Sequence, residues 1–214
     1  MKTWDLTHLI QEEMTVYPGT PPPLIRPACS VEEAGYKETL LTLFSHTGTH
    51  MDAPAHIFPR GVGLDQLPAE QFWGPAAVVD CRPLAPGGKI GLDCLKGGRV
   101  RYERAEFLLF LTGWDRYWGQ DAYFHNYPVP DREMIRFILE TGKKGVGMDT
   151  ISIDSVEDKA LTNHHHILGK NLIIVENLKG LENLPGAGKI HFFALPMKYI
   201  GADGAPVRAL AIVR

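Results

Sequence analysis

The sequence predicts a mixed α/β fold with a sheet-rich core flanked by helices. Short apolar segments bounded by Gly, Pro or charged residues recur along the chain, and only two segments have helical spacing. Apolar residues make up 44% of the 214 positions and charged residues 22%, a composition typical of globular proteins. Length and composition together favour a single domain over residues 1–214.

The strands are predicted from short apolar segments, most of which end at Gly, Pro or a charged residue. These segments are residues 40–44, 76–80, 106–111, 145–148, 172–175, 191–195 and 209–213. Because these segments outnumber the helical ones, the core is expected to be mostly sheet.

Two helices are predicted. The clearer one covers residues 132–141, where Asp131 can cap the N-terminus and Gly142 stands at the exit. Within it, apolar residues recur at helical spacing, namely Met134, Ile135, Ile138 and Leu139. A shorter helix is predicted over residues 163–169.

Proline and glycine cluster between these elements, at residues 18–23, 83–88 and 185–188. None of these clusters is long enough to act as a free linker, so they are predicted to be turns and surface loops of one domain.

Charge and hydropathy exclude several classes of partner. The formal charge is −3, without a run of Lys or Arg that could follow a phosphate backbone, so a nucleic acid partner is not expected. The N-terminus lacks the pattern of a signal peptide, and no apolar run approaches the roughly 20 residues of a membrane span. We expect a cytoplasmic protein without a membrane partner.

Three cysteines, Cys29, Cys81 and Cys94, occur without a C-x-x-C spacing. An odd number without that spacing argues against a disulfide framework and against a cysteine-ligated zinc site. Buried thiols are the simpler interpretation.

Candidate chemistry concentrates in the segment His46-Thr-Gly-Thr-His50-Met-Asp52-Ala-Pro-Ala-His56, here called the 46–56 segment. Its Gly, Thr and Pro residues disfavour a continuous helix and favour a strand end that turns into a loop. Imidazole nitrogen and carboxylate oxygen are the ligands of catalytic zinc sites, and manganese also accepts them. Clustering alone leaves a second interpretation open, in which the histidines are hydrogen-bonded side chains and Asp52 caps the following turn.

The segment resembles the H-x-G-T-H-x-D-x-P-x-H motif of the cyclase family of metal-dependent hydrolases, which includes bacterial kynurenine formamidase and isatin hydrolase. The resemblance extends over nearly the whole chain, from residues 5–8 and 16–19 to 113–114, 147–150 and 174–178. It implies a swivelling β/β/α domain that assembles into homodimers or larger homo-oligomers.

The family also has a second ligand pair, a histidine followed 12 positions later by a glutamate that ends a strand. His164 and Glu176 have this spacing, which selects His164 from the run of three histidines. On the predicted helix, His165 and His166 point to other faces, and we expect them to be surface residues or neighbours of the ligands.

The resemblance implies a role for each of these residues. His46, His50 and Asp52 would hold one divalent metal ion, zinc or manganese, and Asp52, His164 and Glu176 would hold a second. His56 would be the acid and base that moves a proton between the attacking water and the leaving nitrogen, unless it is itself a ligand or a neighbour of one.

Tyr17 matches the position of a substrate-contacting tryptophan in kynurenine formamidase, and an aromatic ring there suits a planar substrate. The expected activity is hydrolysis of an amide or related carbonyl bond in a small, aromatic molecule by metal-activated water. The alternatives are ring opening of a cyclic amide such as isatin or of a lactone, and a non-catalytic protein that binds metal or ligand on the same fold. The aromatic loops at residues 113–118 and 125–128 suit either a pocket lining or packing.

Overall fold

The computed structural model describes residues 1–185 and 189–213, and this part contains twelve strands and four α-helices. The strands are β1 (Lys2–Asp5), β2 (Leu24–Cys29), β3 (Glu38–Thr42), β4 (His50–Asp52), β5 (Trp73–Asp80), β6 (Lys89–Ile90), β7 (Phe107–Leu111), β8 (Val129–Pro130), β9 (Gly145–Met148), β10 (Ile173–Glu176), β11 (Ile190–Pro196) and β12 (Gly204–Val213). The helices are α1 (Val31–Ala34), α2 (Arg99–Arg104), α3 (Arg132–Glu140) and α4 (Thr162–Leu168).

Seven of the strands form a closed ring in the order β12, β11, β5, β7, β9, β10, β4, because β4 pairs back onto β12. The long strand β12 makes the closure possible. Its first residues, from Gly204 to Pro206, pair with β4, and its last residues pair with β1 along the same edge. The first strand of the chain is thereby joined to the last.

Two hydrophobic clusters lie on the two faces of the ring, as the side-chain alternation of strand β7 shows. Phe107, Leu109 and Leu111 belong to the cluster that the ring encloses, together with residues from β4, β10, β11 and β12. Leu108 and Phe110 point outward into a second cluster beneath α2, α3 and α4. Because both faces are covered, β7 is an uninterrupted apolar strand, as expected for a buried parallel strand.

The structure confirms six of the seven predicted core strands. Residues 76–80, 106–111, 145–148, 172–175, 191–195 and 209–213 fall in β5, β7, β9, β10, β11 and β12, with ends that shift by a few residues. The strand predicted at residues 40–44 is present as β3, which begins and ends two residues earlier, but it lies outside the core sheet. Strand β3 covers Glu38–Thr42 and, within the described part of the chain, pairs only with β2 in a hairpin, where Leu40 and Leu41 are more than half exposed.

The predicted helices are both present. Helix α3 begins after Asp131, whose carboxylate accepts a hydrogen bond from the Met134 amide at 2.8 Å, and it ends before Gly142 in the left-handed region. Helix α4 begins one residue earlier than predicted and ends at Leu168. The sequence analysis missed α1 and α2, which have only four and six residues.

The proline- and glycine-rich segments at 18–23 and 83–88 are turns and irregular loops, as predicted. Of the segment at 185–188, residues 186–188 lie outside the described residues. Cys81 and Cys94 are buried free thiols, whereas Cys29 is half-buried, which corrects the expectation for that residue. In the described part of the chain, no helix combines the length and apolar character needed to cross a lipid bilayer.

The aromatic loops pack together in a third cluster. Trp114, Tyr123 and Tyr127 are buried there with Val129 and Ile151. The hydroxyl of Tyr123 donates to the side-chain oxygen of Asn177 at 2.9 Å, so this cluster contacts the residue that follows β10. Packing is therefore the observed role of these loops.

His8 ties the N-terminal segment to this aromatic cluster. Its ring stacks on Trp118 with centroids 3.7 Å apart, and its backbone amide donates to the Thr49 hydroxyl at 2.9 Å. The side-chain Nε2 is buried without a hydrogen-bond partner among the described residues. Burial, aided by the charge of Lys179, lowers the pKa of His8 to about 4.

We predict that His8 makes the stability of the fold depend on pH. Since its pKa is lower in the folded protein than in the unfolded chain, protonation favours unfolding, and stability is lost as the pH falls from about 6.5 towards 4. The full contribution is on the order of 3 kcal/mol. Denaturant unfolding of the wild type and of His8→Phe between pH 7 and pH 4 should show a smaller loss in the variant, and parallel pH curves would contradict the prediction.

Candidate metal centre

A cavity of about 290 Å³ opens beside strand β4, on the face of the ring that α4 covers. All seven site residues predicted from the sequence line this cavity, together with four others. The lining residues are Tyr17, Thr20, His46, His50, Asp52, His56, Ile151, Ser152, Leu161, His164 and Glu176.

The 46–56 segment is a strand end between two turns, as predicted. Gly48 adopts a left-handed conformation with φ of 65° before β4 begins at His50. His50 and Asp52 are two residues apart on β4, so their side chains lie on the same face of the sheet. A single turn of 3₁₀-helix then carries His56 back over the cavity.

Strand pairing and helix α4 bring the distant pair to this motif. Glu176 ends β10 directly opposite His50 of β4, and its carboxylate Oε2 lies 3.6 Å from His50 Nε2. Helix α4, which precedes β10, presents His164 so that its Nε2 lies 3.5 Å from Asp52 Oδ2 and 3.4 Å from Glu176 Oε1. Each of these four residues is at most 4% exposed.

In each of the three candidate ligand histidines, His46, His50 and His164, one ring nitrogen lies within hydrogen-bond distance of an oxygen acceptor on the side away from the cavity. His46 Nε2 lies 3.1 Å from Asp203, His50 Nδ1 lies 2.8 Å from the Gly48 carbonyl, and His164 Nδ1 lies 2.8 Å from Asp154. The other nitrogen of each ring faces Asp52 or Glu176. Metal-binding histidines have this arrangement, since the rear acceptor fixes the tautomer and frees the front nitrogen.

Asp154 and Asp203 were not predicted from the sequence. Asp154 also accepts hydrogen bonds from the backbone amides of Asn163 and His164, so it caps α4 from ten residues upstream. Its position within ten residues of His164 was a usable signal. Asp203 lies 147 positions after His56, in a loop without any motif of its own, and no local pattern indicated it.

Contacts with carboxylates dominate the electrostatics of the site. Burial opposes a charge on His46, yet hydrogen bonds to Asp203 and Asp52 outweigh it and raise the imidazole pKa to about 10. Burial also opposes a charge on His164, but hydrogen bonds to Asp154 and Asp52 hold its pKa well above its usual range. Both rings then carry protons that a bound cation would displace.

Asp52 provides the test of whether a cation fits. Burial raises the pKa of its carboxyl, but hydrogen bonds from His164, His46 and His50 keep that pKa well below its usual range, so the group is ionised. Its Oδ2 atom is nevertheless buried and accepts no hydrogen bond of standard geometry from any described residue. A buried anionic oxygen in this state costs free energy unless a cation compensates it.

The donor set also fits a pair of divalent cations. Among the described residues, potential ligand atoms lie within 4.8 Å of one another in three groups. Two of them coincide with the predicted triads, His46–His50–Asp52 and Asp52–His164–Glu176, and share Asp52; the third joins His46, His56 and Asp203. All these atoms are nitrogen or oxygen, as zinc and manganese accept.

His56 lies beside the two triads at the cavity opening. Its ring centroid is 4.0 Å from that of His46 and 5.9 Å from that of His164. Burial lowers the pKa of His56 more than the neighbouring Asp52 raises it. The neutral imidazole therefore prevails near pH 7, which suits a proton acceptor.

Two other predictions concern residues around the site. Tyr17 lies in the cavity wall and is 37% exposed, which is compatible with contact to an entering ligand. His165 and His166 are exposed on the outer side of α4, away from the cavity, in agreement with the choice of His164 by spacing.

We predict that Gly204→Ala weakens metal binding through His46. A Cβ atom on residue 204 would stand 2.5 Å from His46 Cε1 and 2.8 Å from Nε2, so the ring must move. Isothermal titration with Mn²⁺ or Zn²⁺ should show at least about a tenfold loss of affinity. In a His46→Ala background the collision with the ring is absent and only the 2.9 Å approach to the Met51 carbonyl oxygen remains, so the same change should cost clearly less affinity. An equal loss in both backgrounds would contradict the prediction.

Comparison with known proteins identifies the family of this chain. The family described as "Putative cyclase" matches residues 4–155. Kynurenine formamidase from Salinibacter ruber is 36% identical over 174 residues, 79% of this chain and 77% of that protein. The Bacillus thuringiensis enzyme of the same name is 31% identical over 214 residues, 98% of each chain. Isatin hydrolase A from Ralstonia solanacearum superposes with a TM-score of 0.86 at 26% identity, covering 100% of this chain and 92% of that one. This chain therefore belongs to the cyclase family.

Proposed function

We propose that this protein is a metal-dependent hydrolase that cleaves a carbon–nitrogen bond other than a peptide bond in a small aromatic molecule. The observation that carries the proposal is the buried Asp52 carboxylate, which belongs to both ligand triads and whose Oδ2 atom receives no hydrogen bond of standard geometry from the described residues. The relatives named kynurenine formamidase and isatin hydrolase support the same class of reaction.

The residues that would hold the metal follow from the two triads. His46, His50 and Asp52 would hold one ion, and Asp52, His164 and Glu176 a second, with Asp52 shared between them. Zinc and manganese are the proposed metals, since both accept imidazole and carboxylate ligands. A divalent metal bound here supplies positive charge that polarises a substrate carbonyl and lowers the pKa of water.

His56 is the proposed proton carrier. It lies next to both triads, and it is half-buried at the cavity opening rather than enclosed like His50 and His164. A neutral imidazole there can accept a proton from the attacking water and then donate it to the departing nitrogen. This role needs His56 close to the substrate and outside the ligand set.

The cavity suits a small planar substrate. Its volume of about 290 Å³ lies near the lower end for small-molecule sites, and Tyr17, Ile151 and Leu161 line it together with the candidate ligands. An aromatic formamide such as N-formylkynurenine is the proposed substrate class. A cyclic amide such as isatin is the second candidate, supported by the structural likeness to isatin hydrolase.

A lactone and a non-catalytic binding role are the remaining alternatives. Both are consistent with the ligand triads, because those residues explain metal binding without choosing the bond that is broken. The position of His56 at the open side of the cavity favours turnover over binding alone.

The proposal also covers the oligomeric state and the cellular location of the protein. The hairpin of β2 and β3 exposes Leu40 and Leu41, and exposed apolar side chains of this kind support assembly into a homodimer or larger homo-oligomer. A cytoplasmic location stays a prediction from the sequence.

We predict that His56→Ala retains metal and loses turnover. Removal of the proton carrier should lower kcat by about 10²- to 10⁴-fold, while the metal content per chain stays that of the wild type. The matched control is His166→Ala, which removes an exposed histidine on the outer side of α4. Metal analysis and steady-state kinetics check both variants, and loss of metal from His56→Ala would make His56 a ligand instead.

We also predict that activity depends on a divalent metal and on the substrate class. Treatment with a chelator should abolish hydrolysis of N-formylkynurenine, and added Zn²⁺ or Mn²⁺ should restore it. Isatin and a dienelactone tested in parallel rank the alternatives. A protein that is equally active after chelation contradicts the metal-dependent mechanism, and a metal-loaded protein inactive on all three compounds supports the binding role.

A further inference from the structure

Asp203 contacts the 46–56 segment at two positions, His46 and Ala53, from a distant part of the sequence. Its side-chain Oδ2 lies 3.1 Å from His46 Nε2 and accepts a hydrogen bond from the Ser45 hydroxyl at 3.2 Å. Its backbone oxygen accepts from the Ala53 amide at 2.9 Å. One residue therefore fixes the segment before its first proposed ligand and directly after Asp52.

Asp203 is itself held in place. The hydroxyl of Tyr199 donates to Asp203 Oδ1 at 3.2 Å and also contacts the carbonyl of Gly204. Gly204 lies against the His46 ring, where a larger residue would collide with it. The short loop of Asp203 and Gly204 thus provides both the acceptor for the ring and the space that the ring occupies.

These contacts define which nitrogen of His46 faces inward. Nδ1 lies 2.7 Å from Asp52 Oδ1 in the cavity, and Nε2 points outward to Asp203. A carboxylate behind a ligand histidine keeps the proton on the rear nitrogen and leaves the front nitrogen free to bind metal. We propose that Asp203 is a positioning residue that orients His46 for the first metal ion, an inference that rests on the proposed function.

A direct ligand role for Asp203 is the competing interpretation, because Asp203 groups with His46 and His56 within 4.8 Å. The hydrogen bonds argue against it. Oδ2 already contacts His46 and Ser45, and Oδ1 accepts from Tyr199. The buried Asp52 carboxylate, in contrast, has an oxygen without a donor among the described residues.

Asp154 gives an internal comparison, since it stands behind His164 as Asp203 stands behind His46. If each carboxylate orients one ligand histidine, the two positions act on different metal ions. Asp203 should then affect the ion held by His46, and Asp154 the ion held by His164. A general loss of structure would not separate the two ions in this way.

The test is calorimetric titration of the full-length protein with Mn²⁺ or Zn²⁺, without substrate. Asp203→Ala should weaken one of two metal equivalents by about 10- to 100-fold and leave the other nearly unchanged. Asp203→Asn should lose less, because its amide oxygen still accepts a hydrogen bond. Combining Asp203→Ala with Asp154→Ala should weaken both equivalents. Asp5→Ala is the matched control, because the Asp5 side chain is 41% exposed like that of Asp203 and also makes an ion pair, with Arg208.

Three results would overturn the proposal: unchanged affinity in Asp203→Ala, equal weakening of both equivalents by that variant, or complete loss of one bound ion in Asp203→Asn. The last would make Asp203 a ligand. Failure of the metal site in the proposed function gives a different result, because the wild type would then bind no divalent metal, and failure of the proposed reaction alone would leave these titrations unchanged.

Discussion

Strand β4 hydrogen-bonds to β10 on one side and to β12 on the other, and both the closed ring and the candidate site depend on this double pairing. The strand has only three residues, His50 to Asp52. Its register sets Glu176 opposite His50 and turns His50 and Asp52 towards the face covered by α4. A slip of one residue would turn them into the apolar interior of the ring, so the pairing that closes the fold also fixes the site.

The same arrangement brings carboxylates together in a buried site, where an ionised group is energetically unfavourable. Asp52 and Glu176 are almost completely buried, and burial of an ionised group without compensation costs several kcal/mol. The rear nitrogens of His46, His50 and His164 form hydrogen bonds with acceptors outside the cavity. The front nitrogens and the carboxylates face the cavity, where a cation would compensate the negative charge. Residues with positive φ also border the site, Leu161 before α4 and Asn177 after Glu176. Strained conformations of this kind are retained where the surrounding structure fixes them, often at functional sites.

Prediction from the sequence succeeded where local pattern decides the structure. The apolar runs of β5, β7 and β9 and the capped helix α3 carry their own signals, and the structure confirms them. It failed where pairing between distant residues decides. The pairing of β4 with both β10 and β12, which closes the ring, had no local signal, and β3 has the apolar residues of a core strand but lies in an exposed hairpin.

The candidate site divides in the same way. The spacing of the 46–56 segment and of His164 and Glu176 selected residues that the structure brings together in one cavity. Asp203 reaches His46 across 157 positions, and the closure of the ring brings the two together. Sequence alone therefore indicated the residues at the front of the site, whereas the carboxylate behind His46 required the fold.

The central claim is that the Asp52 carboxylate is shared by two metal ions. Anomalous diffraction from crystals soaked with Mn²⁺ or Zn²⁺ tests this claim most directly. We expect two anomalous peaks, one beside His46 and His50 and one beside His164 and Glu176, with the Asp52 carboxylate between them. A single peak bound without Asp52, or metal found only elsewhere on the protein, would contradict the account.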